Sequence, residues 1–141
     1  MKPWVKYGLL NALIGVVIGL YIGVSAIGGG YFIFVIAAPL AAFVTGGALW
    51  RLFMKNNINN IKVILMGLLT ETVSHYIAFL LLFIGMNICF WTTGGCTGSA
   101  NSPPPSISQM LLGGFGLSFF SLIFFGWITA PYSIIIGFII K

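Results

Sequence analysis

The chain has 141 residues, of which 60% are hydrophobic and 5% charged, with a net charge of +5 and a mean hydropathy of +1.13. A water-soluble domain carries about 25% charged residues, so there is too little polar surface here to coat a soluble globule. The six basic residues sit at the ends of apolar runs rather than on one face, which argues against nucleic acid and for anionic lipid headgroups as the counter-charge.

Four apolar runs are each long enough to cross a hydrocarbon core of about 30 Å, which takes roughly 20 helical residues. The first covers residues 8–27. Its Gly15, Gly19 and Gly23 recur every four residues and share one helix face, which a second backbone can approach closely. The run ends near Val24-Ser25-Ala26, small residues like those of signal-peptide cleavage sites. It exceeds the 7–15 apolar residues usual for such signals, so it reads as a retained span. The second run covers residues 31–50, and its Ala38, Ala42 and Gly46 repeat the four-residue spacing. With only Gly28–Gly30 between them, the two runs are expected to form a tight antiparallel hairpin. Pro39 is expected to kink the second run and free the carbonyl of Val35. The glycine series would also suit homo-oligomerisation or the lining of a narrow pore. The complementary small-residue face next door favours packing within the chain.

The 51–62 loop carries Arg51, Lys55 and Lys62, with four asparagines among them. Lys2 and Lys6 precede the first run and Lys141 follows the last. All six basic residues thus fall on one side of the implied membrane. That asymmetry predicts a plasma (inner) membrane protein with both termini and the 51–62 loop in the cytoplasm. Trp4, Trp50 and Trp91 fall at the expected interfaces, as aromatic anchors do.

The third run, residues 63–86, holds the only carboxylate side chain, Glu71, and the only histidine, His75. Gly67, Glu71, Ser74, His75 and Ala78 share one face, with Thr70 and Thr72 flanking it. Glu71 lies about 13 Å from the start of the run and His75 about 6 Å further on, so the pair brackets the bilayer midplane. A charged group facing lipid is costly, so this face is expected to look into the bundle, a cavity or a partner. Three chemistries fit: a proton or cation site, polar glue between helices, and a metal site. Two side chains leave a metal site incomplete, so no metal is expected.

Residues 87–109 are rich in Asn, Thr, Gly and Ser and end in Pro103-Pro104-Pro105, the composition of an exposed irregular loop. Cys89 and Cys96 lie on the non-cytoplasmic side, where oxidising conditions favour a disulfide. Asn101-Ser102 is followed by Pro103 and makes no glycosylation signal. The fourth run, residues 110–140, is about 46 Å long, more than an upright crossing needs. A kink at Pro131, a tilt, or a start outside the core would accommodate it. Its Gly126, Ala130, Ser133 and Gly137 form a small-residue ridge expected to meet the third run.

The expected fold is an all-α integral membrane protein: one domain, a four-transmembrane-helix bundle, both termini inside. One acid, one histidine and no aspartate argue against an enzyme, and no cofactor-binding motif is present. The small multidrug exporters also place a single acid in a four-helix chain. Theirs lies in the first helix, so no assignment is carried over. Beyond the lipid bilayer, the expected partner is a membrane protein or a second copy of the chain. The leading functional expectation is a non-enzymatic accessory subunit or inhibitor docking onto a membrane partner. The alternative is a small proton- or cation-linked transporter or channel using Glu71 and His75.

Overall fold

The computed structural model describes residues 1–27, 30–54, 58–96 and 105–141. Gly28 and Gly29 of the expected turn, Lys55 to Asn57 of the basic loop, and residues 97–104 with Asn101-Ser102 and the first two prolines of the triplet lie outside them. The described residues form four long helices: α1 (Pro3–Ser25), α2 (Phe34–Phe53), α3 (Asn60–Thr93) and α4 (Ile107–Ile140), with a short 3₁₀ turn at Tyr31–Ile33. All four are long and apolar enough to cross a membrane. Each packs against the next in sequence, and α1 meets α4 only lightly.

Local signals set the helix ends. Pro3 opens α1, where its missing N–H costs nothing. The Asn59 side chain accepts the Lys62 N–H at 2.8 Å and caps α3. Gln109 reaches back to the Ser106 N–H at 2.8 Å, half of a capping box that starts α4. Gly94, at φ 71°, closes α3 in the left-handed conformation that glycine adopts without strain.

The α1–α2 hairpin is built from backbone against backbone. A Cβ placed on Gly15 would lie 2.8 Å from the Cα of Pro39, and one on Gly19 would lie 2.7 Å from the carbonyl oxygen of Phe34. Gly23 meets a side-chain methyl of Val35 instead, at 2.8 Å. Ala38 lies beside Gly15, whereas Gly46 turns to Tyr7 and Thr70 and so serves both α1 and α3. The helix continues through Pro39.

Two departures from expectation concern α3 and α4. At 34 residues each, or about 51 Å, they outrun α1 and α2. Residues 87–93, expected in a loop, continue α3, so Cys89 is helical. The Cys89–Cys96 disulfide brings the chain back towards the α1–α2 turn, where a Cβ on Gly30 would meet Met86 and the carbonyl of Cys96. The α4 ridge is also offset from the expected one. Gly126 faces only Leu122 of its own helix, while Ser118, Ser121, Thr129, Ser133 and Gly137 are buried. Of the series 126, 130, 133 and 137, only Ser133 and Gly137 are buried, and the inward face is rotated towards Ser118, Ser121 and Thr129. Trp50 is likewise no interface anchor: it is buried, its ring centroid 4.6 Å from that of Tyr7.

The interior has three layers. Phe34, Ala41, Phe79, Leu82 and Met86 form an apolar cluster at the end of the α1–α2 turn. Tyr7, Trp50, Met54, Val63 and Ile136 form another at the end that carries the termini. Between them the buried side chains are polar: Asn11, Thr45, Thr70, Glu71, Ser74, His75, Ser121, Thr129 and Ser133. The outside is the reverse, with Leu13, Val17, Ile36, Leu65, Phe119, Phe124 and Trp127 among many exposed apolar residues.

Because Gly15 meets backbone rather than a flexible side chain, Gly15→Ala is expected to destabilise the bundle by about 1–3 kcal/mol. Gly116, with open space around it, should accept alanine without loss. Unfolding in mild detergent measures both, and equal midpoints for the two variants would contradict the packing described. Non-reducing peptide mapping is expected to recover Cys89 and Cys96 in one linked fragment. Freely alkylatable thiols would contradict the bridge.

Candidate functional site

Glu71 and His75 lie one turn apart on α3, as 3.6 residues per turn requires. Both are buried, at 4% and 9% exposure. Gly67 lets α4 approach this face: a Cβ there would lie 2.5 Å from a side-chain carbon of Ile134. Gly15, Ala38 and Ala42 bring α1 and α2 in from the other side and, with Glu71, Ser74, His75, Ser121 and Thr129, line a cavity of about 30 Å³. A site needs about 10–15 Å³ of such space per water, so this one admits one or two waters or a bare ion. It is too small for an organic substrate.

The imidazole has a partner on each nitrogen. Nδ1 lies 2.8 Å from Ser121 Oγ, while Nε2 lies 3.5 Å from Thr129 Oγ1 and 3.7 Å from Glu71 Oε2. If Ser121 donates to Nδ1, the neutral ring carries its proton on Nε2, the nitrogen that lies near Thr129 and Glu71. At 3.7 Å the carboxyl contact is too long for a hydrogen bond, and it is the one polar contact of the Glu71 carboxyl among the described residues. Ser74 does not serve the pair directly, since its hydroxyl donates to the Glu71 backbone carbonyl at 3.1 Å.

Magnitudes decide how such a pair behaves. Two unit charges about 4 Å apart attract by about 4 kcal/mol at an effective dielectric constant near 20. Desolvating each ion costs several kcal/mol. Burying such a pair in ionised form is therefore costly unless close hydrogen bonds or water offset the desolvation.

A second polar group adjoins the first towards the termini. Tyr7 Oη lies 2.7 Å from Ser133 Oγ and 3.5 Å from Thr70 Oγ1. Asn11 Nδ2 donates to the Tyr7 carbonyl at 2.9 Å. Asn11 Oδ1 and Thr45 Oγ1 are buried with no partner among the described residues. Leaving a buried polar atom unpaired costs about 1–3 kcal/mol.

The structure thus brings Glu71, His75 and Ser74 to one interior face and places Gly15, Ala38 and Ala42 on the wall opposite. Cys89 and Cys96 lie remote from it, beyond the α1–α2 turn. Tyr7, Asn11, Thr45, Ser121 and Thr129 were not singled out from the sequence. A signal for two of them existed: Tyr7 and Asn11 continue the Gly15, Gly19 and Gly23 series backwards at the same spacing. Among the described residues, no three His, Cys, Asp or Glu side chains come together as metal ligands would.

Ser121→Ala is expected to shift the ¹⁵N resonance of His75 Nδ1 and to cost about 0.6–1.5 kcal/mol. An unmoved resonance would show that Ser121 does not hold the ring. Compared with known proteins, the chain matches no family model, no curated protein and no solved structure.

Proposed function

We propose that the protein is a multi-pass membrane protein with both termini in the cytoplasm, and that it handles protons through Glu71 and His75. Membrane residence is supported by the reversed distribution of side chains, with large apolar residues outside and hydroxyls, an amide and an acid inside. The orientation is supported by Lys2, Lys6, Arg51, Lys62 and Lys141, which sit at helix ends on one side, where Lys141 Nζ also donates to Asn60 Oδ1 at 2.8 Å.

One observation carries the functional reading. The Glu71 carboxyl is buried in the polar layer of the bundle with a single loose partner among the described residues, beside a cavity that fits water or a small ion. An acid kept only as glue would gain from tight hydrogen bonds, which are absent from its carboxyl group among the described residues. Intramembrane acids of this kind mark proton and ion routes. The geometry also weakens the idea that the pair docks onto another protein, because its face is covered by the chain's own helices.

A second reading, an accessory subunit, draws on a different surface. Phe115, Phe119, Phe120, Phe124 and Trp127 of α4 are all exposed. Lipid or a partner helix would cover such a face equally well.

In proteoliposomes with an internal pH dye, the wild type is expected to dissipate an imposed proton gradient. Glu71→Gln should reduce the flux to the level of empty vesicles, with detergent stability unchanged. Wild-type flux in the variant would sink the proton reading. If the wild type shows no flux and a stoichiometric partner co-purifies in mild detergent, the accessory reading takes its place.

A further inference from the structure

The polar interior is lopsided. From His75 towards the α1–α2 turn, the inward residues of α3 are Ala78, Phe79, Leu82 and Met86, and Phe34 packs its ring on Phe79 at a centroid distance of 5.1 Å. Ala78 to Met86 spans about 12 Å of α3 at 1.5 Å per residue, and its inward side chains are apolar. From Glu71 towards the termini, polar groups continue through Thr70, Tyr7, Ser133, Asn11 and Thr45. Tyr7 stands only four residues after Pro3, about 6 Å from the helix start. Its ring is buried in the apolar cluster with Trp50 and Val63, while its hydroxyl belongs to the polar layer.

We propose that Glu71 exchanges its proton with the aqueous phase at the terminus-bearing end, through Tyr7 and the polar layer around it, and not at the end of the α1–α2 turn. This rests on the proton-handling function proposed above. The unpartnered Asn11 Oδ1 and Thr45 Oγ1 are two buried polar atoms in this layer that a water would satisfy. In the relay, the Tyr7 oxygen receives one proton from the aqueous side and gives up the one it held. That proton passes through the layer to the Glu71 carboxylate, forming one O–H bond for the one broken, with no redox change. The return runs the same steps backwards. The titratable groups around Glu71 are His75 on its own helix and Tyr7 on α1. No titratable side chain of α2 or α4 lines the cavity, and Tyr132 of α4 is engaged elsewhere, donating to the Leu10 carbonyl at 3.1 Å. Tyr7 is therefore a positioning and relay residue, with Glu71 the group that stores the proton.

The test is the rate at which dicyclohexylcarbodiimide, a lipid-soluble reagent for protonated carboxyls, modifies Glu71 in vesicles of known orientation. Mass spectrometry of the full-length protein reads the product, and the pH is set separately on the two sides. Labelling is expected to follow the pH on the terminus side and to ignore the other. Tyr7→Phe keeps the ring against Trp50 and should lose this sidedness, while labelling at equal pH on both sides persists. Ser133→Ala should weaken the sidedness in the same direction and serves if the Tyr7 variant fails to fold. Labelling that follows the pH at the turn end, or full sidedness in both variants, would overturn the relay and leave the proton site standing. A carboxyl that shows no pH-dependent labelling with equal pH on both sides would overturn the proposed function itself.

Discussion

Housing one carboxyl group inside an apolar bundle is the constraint on which the arrangement depends. Among the described residues Glu71 has no lysine or arginine beside it, because Lys2, Lys6, Arg51, Lys62 and Lys141 stand at helix ends. Its accommodation falls to His75, to hydroxyls on α4 and to the space around them. That space is set by glycines. Gly67 admits α4, Gly15 admits α2, and the four helices close to within a water or two of contact around the acid. A methyl group at either glycine would collide with its neighbour before the polar residues could meet.

Segregation of side chains follows from the same constraint. Small and hydroxylated residues go inward, where they permit close approach and offer hydrogen bonds, and bulky apolar residues go outward. In water this would expose an apolar surface far larger than soluble monomers carry. In a bilayer it is the stable distribution, because hydrocarbon makes no demand on the outside while the inside must satisfy its own polar atoms.

Much of this was legible in the sequence. The four helices followed from run length, the hairpin from the spacing of Gly15, Gly19 and Gly23, and the inward face of α3 from Gly67, Glu71, Ser74, His75 and Ala78. Three things were not. The partners of His75 on α4 escaped because Ser121 and Thr129 are eight residues apart, two helical turns, and the glycine-led ridge at Gly126 looked more convincing than a hydroxyl-led one. Trp50 escaped because a tryptophan at the end of a run reads as an interface anchor, and only the packing of Tyr7 against it puts it inside. The true end of α3 escaped because Asn87, Thr92 and Thr93 look like loop residues. Their side chains instead bond back to carbonyls one turn earlier, at Phe83, Ile88 and Cys89, and the helix carries them.

The backbone-to-backbone contact between α1 and α2 has a consequence for assembly. Glycine and alanine have almost no rotamers to lose, so closing that hairpin costs little side-chain entropy. It also precedes α3 in the chain, and synthesis runs from the N-terminus. The two helices are therefore complete, with Asn11 and Thr45 already turned to their inner side, before the segment bearing Glu71 leaves the ribosome. In a membrane, the acid would then meet a hairpin already formed rather than lipid alone.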